Sequence, residues 1–154
     1  MILFIPGHVP SSKNSKQWTG KILISNKPTL QYEKHNIWYY IQAKNLFKKY
    51  TQQLPKPLHI GFHFIRETKH KFDFINALQI VQDMMVKTEW IEDDNMHCLI
   101  PYAIHLNSEH FSYDKNKPGV IIKVLNSNHL DLSLDAAYVN QLITQVYQAS
   151  HYSK

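Results

Sequence analysis

Apolar residues in the middle of the chain recur at the spacing that lines one face of an α-helix. They are Phe74, Ala77, Leu78, Val81 and Met85, at i, i+3, i+4, i+7 and i+11. This row predicts a helix over residues 73–87 that packs by its apolar side. The same spacing predicts two more helices, one over about 31–50 and a terminal one over about 133–150.

Strict alternation of apolar and other residues predicts a strand over 58–65, with Leu58, Ile60, Phe62 and Phe64 on its buried face. Short apolar runs predict further strands at 2–6, 22–25 and 119–125. Residues 96–106 also read as a strand, interrupted or bent at Pro101, which favours a sheet edge or a bulge. The polar segments 8–21 and 107–118 are predicted to be loops.

Together these elements predict a single α+β domain covering residues 1–154. It should contain a mixed β-sheet of about four to five strands packed with two to three helices. A chain of 154 residues that is 44% hydrophobic is long and apolar enough for one real core.

Acidic side chains gather at two places that are separated by the length of the central helix. Asp73 stands at its start, whereas Glu92, Asp93 and Asp94 follow its end. Clustered carboxylates repel one another unless a cation lies among them, and Mg²⁺ is a hard cation that takes oxygen ligands. We therefore expect Asp73, Asp93 and Asp94 to converge on one Mg²⁺ site, in which Mn²⁺ could substitute.

Simpler interpretations of the same acids remain open. Asp73 could cap the N-terminus of the helix, where free N–H groups and the helix dipole favour a carboxylate. Residues 92–95 could form a solvated turn, and Asp83 could be an exposed helix residue. In the functional interpretation, Asp73, Asn76, Ile80 and Asp83 instead lie along one side of the helix, so that three polar groups share a stripe.

Residues 66–96 resemble the RusA family of Holliday-junction resolvases, crossover junction endodeoxyribonucleases that are common in phages and prophages and act in DNA recombination and repair. The family pattern is a basic pair before D-x-D-N-x-x-K on a helix, a later aspartate on that helix, and an aspartate pair at the next strand. The residues that match in register, without a gap, are Lys71, Asp73, Asn76, Asp83, Asp93 and Asp94. The resemblance implies a Mg²⁺-dependent nuclease that acts on branched DNA as a dimer, which suits a substrate of twofold symmetry.

The resemblance also implies roles for these side chains. Asp73 and Asp94 would be the main metal ligands with Asp93 assisting, and Asn76 or Asp83 would orient water or a ligand.

Two positions depart from the family pattern. Ile75 stands where the family has its second aspartate, and Gln79 stands where it has its lysine. The loss of an anionic ligand and of an ammonium group could cost orders of magnitude in rate. Two outcomes follow: a variant site in which Asn76, Asp83 or Glu92 fills in, or a catalytically weak or inactive protein that binds DNA junctions.

The charge of the chain suits a nucleic-acid partner. The 17 Lys and Arg residues against 12 Asp and Glu give a formal charge of +5, although mild basicity alone is common. Candidate DNA-binding residues are Lys13, Asn14 and Lys16 in the first loop, and Lys69 and Lys71 before the central helix. Trp18 could stack on an unpaired base, but a plain surface loop explains that segment nearly as well.

Other features narrow the class of protein. A single cysteine, Cys98, excludes an intrachain disulfide and a cysteine-rich zinc site, and fits a reducing compartment. His59 and His63 lie too far apart on a strand to read as a zinc pair. Neither a signal peptide nor a membrane span is recognisable, so we expect a soluble, cytoplasmic protein.

Overall fold

Alternating apolar side chains build a sheet that is buried on both faces. The computed structural model describes residues 1–11, 16–18, 20, 23–25 and 27–151. Its strands are β1 (Ile2–Pro6), β2 (Lys16–Trp18), β3 (Leu23–Ser25), β4 (Leu58–Arg66), β5 (Leu99–Ala103), β6 (His105–Leu106), β7 (Phe111–Tyr113), β8 (Gly119–Val124) and β9 (Ser133–Leu134). Its helices are α1 (Lys27–Thr51), α2 (Phe74–Lys87) and α3 (Ala136–His151).

Strand β4 lies at the centre of a mixed, five-stranded sheet in the order β1-β8-β4-β5, with β7 also paired to β4. Strand β8 runs antiparallel to β1 and β4, whereas β5 and β7 run parallel to β4. Strand β5 pairs with the first half of β4, from Leu58, and β7 with its end, at Arg66. The predicted α+β class, with four to five strands and two to three helices, is confirmed.

The two faces of the sheet carry separate cores. Alternate residues of β4, among them Ile60 and Phe62, contribute to the core that α1 and α2 cover. Ile65 of β4 belongs to the other core, together with Val139 and Ile143 of α3. Because successive strand residues point to opposite faces, one strand supplies both cores, and the molecule has three layers.

Helix α2 forms as its sequence predicts. Its buried residues include Ala77, Leu78, Val81 and Met85, and Asp73 is its N-cap. Two ion pairs, Lys87 with Glu33 and Lys44 with Glu89, connect α2 and the turn after it to α1. Such exposed pairs contribute about 0–1 kcal/mol each, so apolar burial does most of the stabilisation.

Several predicted boundaries are wrong. Helix α1 begins at Lys27 instead of 31, because Pro28 is tolerated in a first turn, where its missing N–H would have no helical acceptor. The predicted strand 96–106 begins only at Leu99 and divides at Ile104 into β5 and β6. Pro101 lies within β5 at the sheet edge, as expected of a residue that cannot donate to a ladder.

Three short strands were not predicted: β2, β7 and β9. Strand β7 lies inside the predicted polar loop 107–118 and extends the sheet beside the end of β4. None of the helices in the described ranges is long and apolar enough to cross a membrane.

His63 is a fully buried polar side chain that joins three segments beneath α3. Its Nδ1 lies 3.1 Å from the Ile104 carbonyl oxygen and its Nε2 lies 2.8 Å from the Ser112 hydroxyl. The neutral ring can donate from Nδ1 and accept at Nε2, so both contacts suit an uncharged imidazole. Burial lowers the pKa of His63, and the charges of His110 and His105 lower it further, against the raising effect of the Ile104 bond.

We expect His63 to make the fold sensitive to acid. The unfolded chain takes up this proton as pH falls through the ordinary value of 6.5, while the folded chain resists until the pH reaches its lower pKa. Between these values the unfolding free energy should therefore decrease as pH falls. Denaturant titrations from pH 8 to pH 4.5 measure the slope, which His63→Gln should flatten and which His129→Gln, at an exposed position, should leave unchanged. Equal slopes in all three proteins would contradict this role.

Candidate functional site

The parallel pairing of β4 with β5 separates the two groups of acids. The chain leaves β4 at Arg66 and must return to the level of Leu58, because Leu58 pairs with Leu99 at the start of β5. Helix α2 makes this return, and its 14 residues span about 21 Å at 1.5 Å per residue. Asp73 therefore lies where β4 ends, while Asp93 and Asp94 lie near the level where β4 begins.

Asp73 caps α2, as the simpler sequence interpretation proposed. Its Oδ1 accepts hydrogen bonds from the backbone N–H of Ile75 at 3.0 Å and of Asn76 at 3.3 Å. The next residue, Phe74, packs edge-on against Phe64 at 5.5 Å between ring centroids, which fixes the start of the helix on the sheet. Both capping bonds fall on Oδ1, so capping itself makes no use of Oδ2.

The second acidic group forms an exposed, hydrogen-bonded turn. Asp93 accepts a bond from the Asn95 amide at 2.7 Å and another from the backbone N–H of Asp94 at 2.8 Å. These bonds, that of Asn95 first, lower the pKa of Asp93 and favour its charged form. Glu92 and Asp94 are exposed beside it.

A basic groove lies next to this turn. It has a volume of about 700 Å³ and contains Lys48, Lys49 and Lys56 together with Glu89 and Glu92. The three lysines outnumber the two glutamates, so the groove beside the acidic turn is mildly basic. None of the three lysines was a candidate from the sequence, because lysines on the outer side of a helix, such as Lys48 and Lys49, are usually only solvated, and Lys56 between two prolines belongs to no motif.

The candidate acids do not gather into one metal-binding group within the described part of a single chain. Across the described ranges, no three His, Cys, Asp or Glu side chains gather closely enough to hold a metal ion. The expectation that Asp73, Asp93 and Asp94 converge within one chain is not met, because a helix length separates Asp73 from the other two.

The predicted polar stripe along α2 is also wrong. Ile80 is 2% exposed and belongs to the core, and the buried Nδ2 of Asn76 has no hydrogen-bond partner among the described residues. The side that faces solvent instead carries Ile75, Gln79 and Asp83, at i, i+4 and i+8. The error arises because α2 packs on both the sheet and α1, which widens its buried face beyond the predicted row.

Basic side chains accompany Asp73 at its end of α2. Lys69 and Lys71 are exposed in the loop that leads into the helix, and within the described ranges neither forms an ion pair. Arg66 has a structural role, because its buried guanidinium donates to the Val9 carbonyl and lies 4.5 Å from the centroid of the Phe72 ring. Lys13 and Asn14 lie outside the described residues, and only the backbone of Lys16 and Trp18, in β2, is described.

Two aromatic residues near Asp73, Phe111 and Tyr113, were not identified as candidates from the sequence. Phe111 contacts the Phe72 ring at 5.2 Å, and the Tyr113 ring lies 5.3 Å from Lys69 Nζ. The alternation in Phe111, Ser112 and Tyr113 was a signal for this strand, but three residues inside a polar segment are too few to identify one.

No protein-family model matches the chain, and no curated protein matches it significantly. The functional interpretation therefore rests on the two charged ends of α2 and on the sequence pattern that joins them.

We expect substitutions of Asp73 to separate its structural role from any chemical one. Asp73→Ala removes the acceptor for two backbone N–H groups and should lower the unfolding free energy by about 1 kcal/mol. Asp73→Asn keeps a side-chain oxygen that caps comparably, so its effect should be much smaller. Denaturant unfolding measures both, with the exposed Asp94→Ala as the control, and an asparagine variant as unstable as the alanine one would contradict the capping role.

Proposed function

We propose that the chain is a Mg²⁺-dependent endodeoxyribonuclease that hydrolyses phosphodiester bonds in branched DNA such as Holliday junctions. The observation that carries this proposal is Asp73 at a helix start, shortly after the exposed Lys69 and Lys71, in a segment that follows the spacing of RusA-like resolvases. Lys69 and Lys71 would hold phosphates beside Asp73, and the lysine groove would do so beside Asp93. Such a substrate would be met in the cytoplasm.

The separation of the acids makes a second copy of the chain part of this proposal. One copy offers Asp73 at the start of α2, whereas Asp93 and Asp94 follow the other end of this helix, which is about 21 Å long. If two copies pair about a twofold axis with their α2 helices antiparallel, Asp73 of one copy approaches Asp93 and Asp94 of the partner subunit. The symmetry then creates two equivalent sites, which suits paired cuts in a four-armed junction.

Mixing of two inactive variants tests whether the site is shared. Asp73→Asn and Asp94→Asn should each abolish cleavage of a synthetic four-way junction in Mg²⁺ or Mn²⁺. In a mixed dimer one site then carries both substitutions and the other carries neither. After random exchange of subunits about half of the dimers are mixed, so about a quarter of wild-type nicking should return.

The outcomes of this experiment are distinct. Asp135→Asn is the matched control, because Asp135 accepts from the Tyr138 N–H at the start of α3 as Asp73 does at α2, so its activity should be unchanged. A mixture as inactive as its components would overturn the shared site. Full cleavage by Asp73→Asn would overturn the assignment of Asp73 to the active site.

A second candidate is a catalytically weak or inactive protein that binds DNA junctions. Ile75 favours it, because this apolar side chain is 65% exposed at the position where a nuclease of this pattern has a carboxylate. Gln79 is likewise exposed one turn later. The same basic surface would then hold a junction without cutting it efficiently.

Restoring the pattern distinguishes these two candidates. The double substitution Ile75→Asp and Gln79→Lys changes two positions that are exposed in the single chain, so the fold of each copy should persist. If the natural site is incomplete, the substitutions should raise the cleavage rate by about 10²-fold or more, the usual value of one well-placed charged group. Adding Asp94→Asn should abolish any gain, whereas an unchanged, efficient rate would exclude the weak binder. The nuclease proposal fails if no variant, including the natural chain, cuts branched DNA.

A further inference from the structure

We infer that Phe111 and Tyr113 of β7 form a stacking subsite for unpaired bases of branched DNA, beside Asp73. This inference rests on the proposed function and adds to it the part of the substrate that this surface contacts.

The two rings lie in a row on one side of the sheet. Phe111 pairs with Phe64 and Tyr113 with Arg66, so both point to the face that α2 covers. Side chains two residues apart on a strand are about 6.6–6.8 Å apart. This separation is close to twice the thickness of a stacked base. There is therefore room for one base against each ring.

Both rings are exposed because the side chains at the start of α2 cover β4 more fully than they cover its neighbour β7. The rings of Phe72 and Phe74 cover Phe64 at 6.0 and 5.5 Å, and Phe64 is fully buried. Phe111, one strand further out, meets the edge of Phe72 and remains 48% exposed, and Tyr113 remains 45% exposed. The edge of the sheet thus presents aromatic faces to solvent.

The charges around these rings match a nucleic acid. Lys69 Nζ lies 5.3 Å from the Tyr113 ring centroid, and Lys71 is exposed in the same loop. Asp114 follows Tyr113, but its carboxylate accepts bonds from the backbone N–H of Asn116 and Lys117, at 2.9 and 3.0 Å. Aromatic rings that alternate with cations are the combination by which proteins hold single strands, with bases on the rings and phosphates on the lysines.

Unpaired bases fit this surface better than duplex does. In an intact duplex the base faces are stacked inside, so only its phosphates can use Lys69 and Lys71. A branch point with unpaired bases exposes base faces close to its phosphates, and the surface here likewise places the Tyr113 ring 5.3 Å from Lys69 Nζ.

The test compares three labelled DNAs by fluorescence anisotropy: a junction with unpaired central bases, a single strand, and an intact duplex. Phe111→Leu and Tyr113→Leu should each weaken binding of the first two by about 5- to 100-fold, the usual value of one stacked base. Duplex binding should change by less than about twofold, and the salt dependence should persist, because the lysines remain. The control is Tyr138→Leu, a tyrosine 49% exposed on α3 at the other face of the sheet.

Two further measurements distinguish stacking from a loss of structure. Tyr113→Phe retains the ring and should retain affinity, and 2-aminopurine at an unpaired position should be quenched by the natural chain but not by the leucine variants. If the natural chain binds and cuts junctions and the leucine variants bind all three DNAs equally well, the subsite is overturned and the proposed function stands. Equal losses on duplex and unpaired DNA also overturn the subsite. If the natural chain binds none of the DNAs, both proposals fail.

Discussion

The parallel pairing of β4 with β5 determines where the candidate acids lie. A parallel neighbour requires the chain to return along the whole length of β4, and α2 is that return. The acids that flank α2 are thereby fixed at opposite ends of the sheet. The same edge of β4 then accepts β7 further along, which brings Phe111 and Tyr113 to the end occupied by Asp73.

Each end of α2 combines carboxylates with cations that do not neutralise them. Within the described ranges none of Asp73, Asp93 and Asp94 forms an ion pair, although lysines lie near both ends. Asp73 accepts two backbone N–H groups at the helix N-terminus, and hydrogen bonds in its turn lower the pKa of Asp93, so neither acid depends on a basic partner. In the proposed function the neighbouring lysines would bind phosphates, and a second copy of the chain would complete the cation site.

The local pattern of the sequence predicted the elements better than their arrangement. The apolar row of α2 and the alternation in β4 report which residues are buried, and both elements lie where they were predicted. The direction in which two strands pair is not visible in the spacing of apolar residues. The separation of Asp73 from Asp94 could therefore not be predicted from the sequence. Strand β7 was missed because pairing with Phe64, Ile65 and Arg66, more than 40 residues away in sequence, stabilises its three residues.

Phe111 and Tyr113 are among several large hydrophobic side chains that remain exposed, and the fold itself assigns these two no structural role comparable to that of the acids. Asp73 has a structural reason as a helix cap, and Asp93 has one in its turn, so neither residue by itself requires a ligand. Phe111 and Tyr113 keep nearly half of their surface in water, where each forgoes part of the roughly 1.5–3 kcal/mol that burial of a large apolar side chain provides. A partner that covered the rings would recover this free energy, and Lys69 beside Tyr113 suits a partner that carries negative charge. The DNA that we propose as the partner has both properties, because its bases are flat and its backbone is anionic.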